Sequence, residues 1–344
     1  MRGLDSEPQR RARDSASPEP ARFDRRAAPR HALRLGFLLA AANVAWAGAP
    51  PNEADLEVSP SVVDVADLEG AGSPFGAAGL EGTASLEAAV APLDAADAAW
   101  SARATELDAD GLRAKPEGIA EAIVAYRRAI QEAPDGLEAR WKLMRALHYS
   151  IDFASLEDEA RETNAEEAIE VARESLELLK RKPGSDADRA RVYFWSSIAW
   201  ALRADRVGLL AIVREGVADR IRDQAERSLA LDPSVDQGGA LRLLARLHST
   251  LPKVPFISGW VDRERGLAYA ERAMEFEPFH PGNPLLQALT ILEVAPEREA
   301  EARVALAIAA ASTPREAFLI EDRRIRRDAR ERLAELDREG GTKP

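Results

Sequence analysis

Gly118-Ile-Ala-Glu-Ala-Ile-Val-Ala-Tyr-Arg-Arg-Ala-Ile-Gln-Glu-Ala-Pro134 is the stretch that decides the fold. At 3.6 residues per turn, Ala122, Tyr126 and Ala129 share one stripe. Ala122 and Ala129 stand two turns apart on that stripe, where small side chains let a second helix come close. Pro134 ends the helix, because proline has no amide to donate and its ring clashes with the preceding turn. The pattern recurs at Ala168, Ser175 and Pro183, again at Ser228 and Pro233, and again at Gly266, Ala273 and Pro278. Those prolines are 49, 50 and 45 residues apart. Between them lie three partner segments, Trp141-Lys-Leu-Met-Arg-Ala-Leu-His148, Tyr193-Phe-Trp-Ser-Ser-Ile-Ala-Trp200 and Leu241-Arg-Leu-Leu-Ala-Arg-Leu-His248. Ser197 and Ala245 take the tight position between helices in two of them. Arg145 breaks the pattern in the first.

Paired helices repeating in this way, with no convincing alternating strand, predict an all-α, tetratricopeptide-like solenoid of helical hairpins over residues 96–338. The repeats are irregular, about 45–50 residues against the usual 34, so they carry insertions or long helices. Segments 284–294, 297–311 and 314–337 supply one more pair and a charged closing helix. Asn164 with Glu167 predicts a capping box that opens a second helix. Residues 339–344 are expected to be a short disordered tail.

Charge is spread unevenly along the 344 residues. Residues 1–34 carry nine Arg against five acids, 35–47 carry no charge, and 48–99 carry ten acids with no Lys or Arg. The basic leader, the apolar run Leu35–Ala47 and its Ala45-Trp46-Ala47 exit together predict a secretory signal peptide over 1–47, and hence a periplasmic or secreted protein. The alternative is an Ala-rich leader on a cytoplasmic one. The run is too short to span a bilayer, and no other stretch is longer, so no transmembrane helix is expected after its removal. Residues 48–95, rich in Gly, Pro and Ala, predict a disordered acidic linker, because such a segment buries too little apolar surface to offset its ordering entropy. The overall charge of −12 makes nucleic acid an unlikely partner, since acidic faces repel phosphate. The absence of cysteine excludes disulfides, thiolate metal sites and cysteine nucleophiles.

Asp236-Gln-Gly-Gly239-Ala-Leu-Arg242-Leu-Leu-Ala-Arg246-Leu-His-Ser-Thr-Leu-Pro252, Ser258-Gly259, the 266–278 helix and His280-Pro-Gly-Asn-Pro284-Leu-Leu together resemble the T-component family of TRAP transporters. Trp200 and the long 206–231 stretch share the likeness, which covers about residues 100–337. The resemblance implies a periplasmic helical stack around a ligand-accessible channel, partnered with a substrate-binding protein. Members are often lipoproteins, and this chain has no cysteine to carry a lipid.

By register, Lys142, Tyr149, Phe194, Ile198, Arg242 and Arg246 face the concave side of the stack, with Trp195 and Trp200 on the same first helices. Mixed aromatic, aliphatic and cationic groups are what a binding groove presents, for a partner protein or for a small apolar or organic-acid ligand. Homo-oligomer formation is compatible with such a surface. Arg242 and Arg246 are one turn apart, so either they offer paired forks to an anion or they bridge neighbouring acids. Glu106, Asp108, Asp110 and Glu117 have the spacing of a calcium loop with Gly111 at its turn. Glu rather than Asp at the first position, Arg113 where an aliphatic belongs and Pro116 near the end favour a plain acidic turn. His148 and His248 share one repeat position, where packing is expected, and His280 lies in a Pro-rich turn without a second ligand. With no phosphate loop, zinc-binding helix motif or nucleophile elbow, the expectation is a non-enzymatic binding protein that needs no cofactor.

Overall fold

The computed structural model describes residues 92–206, 216–253 and 258–341. The expected signal peptide and most of the acidic linker lie outside them. Helices run in the order α1 (92–101), α2 (Pro116–Glu132), α3 (Leu137–Phe153), α4 (Asp158–Arg181), α5 (Asp186–Arg206) and α6 (Val217–Leu231). They continue as α7 (Gly239–Thr250), α8 (Arg263–Phe276), α9 (Gly282–Val294), α10 (Glu299–Ala311) and α11 (Leu319–Gly341). Among the described residues there is no strand, only isolated bridges that tie Ala114 to Leu107 and Ala154.

From α2 onward each helix packs against the next, and first helices of successive hairpins also touch, α3 on α5 and α7 on α9. The chain is an all-α helical solenoid. The small-residue stripes are what allow the crossings: Ala122 and Ala129 in α2, Ala168 and Ser175 in α4, Ser228 in α6, Gly266 and Ala273 in α8 are all buried. At Gly266 the neighbouring backbone comes close. A Cβ there would stand 3.0 Å from the Ser249 amide nitrogen and 3.2 Å from the Ala245 carbonyl oxygen. Ala129→Leu is accordingly expected to overpack the first crossing, at a cost of about 1–3 kcal/mol. A thermal melt checks it, and an unshifted midpoint would put Ala129 on the wrong face.

The expected capping box does not form. α4 starts six residues earlier, at Asp158, because Asp158 and Glu159 suit the positive end of a helix and Ala165 and Ala168 extend its buried stripe. Asn164 donates instead to the Ser150 hydroxyl on α3 at 2.9 Å, and Glu167 accepts two bonds from Arg127 at 2.5 and 2.6 Å. Helix α1 begins four residues before the boundary at 96, because Leu93 already packs on the core. Helix α11 runs on through Gly341.

The stack closes on itself. Arg103, just after α1, donates to the Ala317 carbonyl at 2.5 Å and pairs with Glu321 on α11 at 3.1 Å. Arg323 donates to the Gly111 carbonyl at 3.1 Å, and Arg324 donates to that of Asp152 at the end of α3. Ile320 joins the same buried cluster as Trp100, Tyr149 and Phe153. The start of α11 therefore packs back against the end of α1 and the end of α3 instead of merely ending the row of hairpins.

Candidate functional site

The eight residues expected to line a groove all lie inside the protein, Lys142 being the most exposed at 8%. Periodicity marks the inward face of a first helix, but it does not show which distant segments pack against that face. Tyr149 stacks on Phe153, with ring centres 5.4 Å apart, and meets the edge of Trp100 at 5.7 Å. Phe194 lies over Gly239, where a Cβ would come within 2.5 Å of its ring. Trp195 packs on His148, and Ile198 sits in the same core. Trp200 has the guanidinium carbons of Arg173 and Arg220 within 5.2 and 4.9 Å. Lys142 is held by Asp97 at 2.5 Å and Glu138 at 2.7 Å. Burial lowers Arg246 to about 10, with Glu293 pulling the other way.

Where the groove was expected there is a buried polar cluster. Arg315 forks onto Asp322 with bonds of 2.8 and 2.9 Å and reaches the Gln237 side-chain oxygen at 2.9 Å. Arg242 is fully buried. It donates to the carbonyls of Asp236 and Gln237 at 2.5 and 2.6 Å and to the side-chain oxygen of Asn283 at 3.2 Å. Those two carbonyls belong to a run of left-handed residues, Asp236, Gln237 and Gly238, with φ of 54°, 50° and 83°. Burial pushes the Asp236 carboxyl up to about 7, against the pull of Arg242, Arg145 and Arg315. The Asp-Gln-Gly-Gly segment is thus a strained turn clamped from below by the arginine six residues on.

Beside this turn runs a stack of alternating cations and rings. The Arg103 guanidinium lies 4.1 Å from the Trp100 ring centre, and Arg145 lies 4.0 Å from the same ring and 5.1 Å from Trp141. Arg191, from α5, continues it at 5.6 Å from Trp141. Such contacts are worth about 0.5–2 kcal/mol each, more when water is excluded. Sequence reasoning did not select Trp100, Arg103, Arg145, Asp236, Asp322 or Glu321. For Arg145 a signal existed, since it stands where its repeat partners carry Ser197 and Ala245.

The acidic loop is held by its own bonds. Glu106 pairs with Lys115 at 2.8 Å, Asp108 accepts from the Ser155 hydroxyl, and Asp110 accepts from the Leu112 amide at 2.8 Å. Glu117 sits in the first turn of α2. Among the described residues, no three His, Asp or Glu side chains come together to hold a metal ion. No described helix is long and apolar enough to cross a membrane. A recess of about 750 Å³ lies between α1 and α2, lined by Pro92, Ala95, Ala120, Val124 and Arg128 among others, and none of the eight expected groove residues borders it.

The histidines serve packing and turns. His148 sits against Phe153 and Trp195 and reaches Asp152 at 3.1 Å. His280 accepts from the Gly282 amide at 3.0 Å. His248 accepts from the Asp262 amide at 3.1 Å and lies against Trp260 and Tyr269. Burial, then Arg265, lowers His248 from 6.5 to about 4. The unfolded chain thus takes up this proton first, and the stabilising contribution, full above about pH 6.5, is lost as pH falls toward 4. His248→Gln is expected to flatten that part of the acid limb in a series of melts between pH 4 and 7; a parallel loss in both proteins would assign the limb to other groups.

Neither a protein-family model nor a curated protein matches the chain. What fold and interior define is an all-α helical-hairpin solenoid whose concave side holds a buried, arginine-rich aromatic cluster.

Proposed function

We propose that the chain is a non-catalytic, exported binding protein, an accessory of TRAP-type solute transport that holds a ligand or a partner within its helical stack. The observation that carries this reading is the interior cluster. Guanidinium groups and indole rings are concentrated where the hairpins converge on α11, as a recognition site requires and a minimal scaffold does not. Buried charge stabilises a fold poorly compared with apolar packing, so a cluster of it is consistent with a purpose beyond holding helices together. The basic and apolar leader at 1–47 supports the compartment, and the resemblance over 100–337 supports the transport link. The stack is then the receptor element and a substrate-binding protein its partner.

A second reading is a cell-envelope scaffold without a transport role. It is favoured by apolar side chains left in solvent, Phe279 at the α8–α9 turn and Val304 with Ile308 one turn apart on α10. Native mass spectrometry of the protein from its own host separates the two. A bound small molecule or a substrate-binding protein supports the transport reading. Unrelated envelope proteins alone support the scaffold, and a bare chain with Met1 retained would sink export and partner together.

A further inference from the structure

Helix α2 is apolar on two sides. Ile119, Ala122, Ile123, Tyr126 and Ala129 form its buried stripe, while Ala120 and Val124, one turn apart, stay in solvent. Val124 is 60% exposed. Counted back from the proline that follows each second helix, its counterparts are Arg173, Asp223 and Ala268, all exposed. The later hairpins thus carry a charge or a single methyl at this position, and the first carries a branched apolar side chain.

Val124 lines the recess of about 750 Å³ between α1 and α2, together with Ala95, Ala120 and Ala125. The charged residues of its wall are all exposed, Arg128 being held by Glu132 at 2.7 Å. A small ligand would find no buried polar group there to fix its orientation. An apolar stretch of chain needs none, and the outer face of a terminal repeat requires a cover.

The chain itself supplies an occupant. Pro92, which opens α1, borders the recess, so the residues before it reach the recess at the high local concentration that covalent attachment gives. Composition changes just upstream of that point. Residues 48–82 hold seven acids, six Gly and four Pro, whereas 83–91 hold one acid and neither Gly nor Pro. This stretch, Thr83-Ala-Ser-Leu-Glu-Ala-Ala-Val-Ala91, lies outside the described residues; its two large apolar side chains are Leu86 and Val90. We propose that residues 83–91 dock in the recess of their own chain, with Leu86 and Val90 seated against Val124 and Glu87 left in water. The acidic linker is then 48–82, and it departs from the stack at the first hairpin. This goes beyond the transport reading and does not depend on it.

The lack of native cysteine makes disulfide trapping in the full chain a clean test, since every thiol is one placed for the purpose. Leu86→Cys and Val90→Cys, each combined with Val124→Cys, should close an intramolecular disulfide about tenfold faster than Glu87→Cys does, although Glu87 lies between them in sequence. Hydrogen exchange of the unsubstituted chain should show amides 84–90 slowed about tenfold relative to free peptide. Val124→Asp should abolish that protection and leave exchange in α3 and beyond unchanged. If that variant does not fold, Leu86→Asp, which alters no described residue, should abolish it equally. Equal closure rates at the three positions, or no protection over 84–90, overturns the proposal. Disulfides formed only between chains, at a rate that rises with protein concentration, overturn it too and assign the recess to a second copy.

Discussion

Arg242→Gln is expected to destabilise the protein by about 3–5 kcal/mol, the range for breaking a buried charge pair. The fully buried guanidinium donates to three neutral oxygens and lies 3.4 Å from the Asp236 carboxylate. Gln is too short to reach both carbonyls of the 236–237 turn, and each buried acceptor left without a donor costs about 1–3 kcal/mol. The turn itself is unfavourable. Asp236 and Gln237 both carry positive φ, which costs an L-residue about 1–2 kcal/mol, and the clamp from Arg242 offsets that strain. Chemical denaturation should show a lower midpoint at unchanged slope. Adding Asp236→Asn should recover part of the loss, because an amide left alone in the interior costs less than a carboxylate. An unshifted midpoint for Arg242→Gln would mean that the turn holds its own shape. The substitution thereby chooses between the two readings of the Arg242–Arg246 pair, and the geometry at Arg242 favours the scaffold.

The hairpins were legible because their physics is local. A small residue at a crossing, a proline after the second helix and a large-small-large first helix each act within a few turns, and Ala122, Ser175, Ser228 and Ala273 are buried as that pattern requires. The closure was not legible, because it joins Arg103 to Glu321 and Gly111 to Arg323 across some two hundred residues of chain. No period in the sequence connects those positions. The same gap hid the burial of the expected groove residues. Charged residues at helical spacing are ordinarily solvated, so Arg242 and Arg246 read as outward groove positions, whereas both are buried, Arg242 against the 236–237 turn and Asn283. The Asn164–Glu167 spacing failed for a different reason: a capping box can be written in the interior of a helix whose true start lies six residues earlier. Arg145 was legible as an exception to the repeat, but only the fold shows that it lies between the Trp100 and Trp141 rings.

Glu321→Ala should have an effect of similar size, about 3–5 kcal/mol, because it leaves Arg103 charged and buried at 5% exposure. Arg103 would keep its bond to the Ala317 carbonyl and its contacts with Trp100 and Tyr149, at 4.1 and 5.0 Å, but lose the charge that compensates it. Removing both partners, as Arg103→Met with Glu321→Leu, should cost less than either single truncation, since no orphan charge remains and apolar atoms fill the space. A double-mutant cycle by chemical denaturation measures the difference, and hydrogen exchange along α11 locates it. Coupling well above 1 kcal/mol with loss of protection confined to the first turns of α11 would make the ion pair the latch of the closed stack. Near-zero coupling would transfer that role to Phe318 and Ile320, which are buried beside it. Arg103 and Arg145 lie against the same Trp100 ring, so a latch at Glu321 would also hold one member of that cation–aromatic stack, and loosening it should shift tryptophan emission.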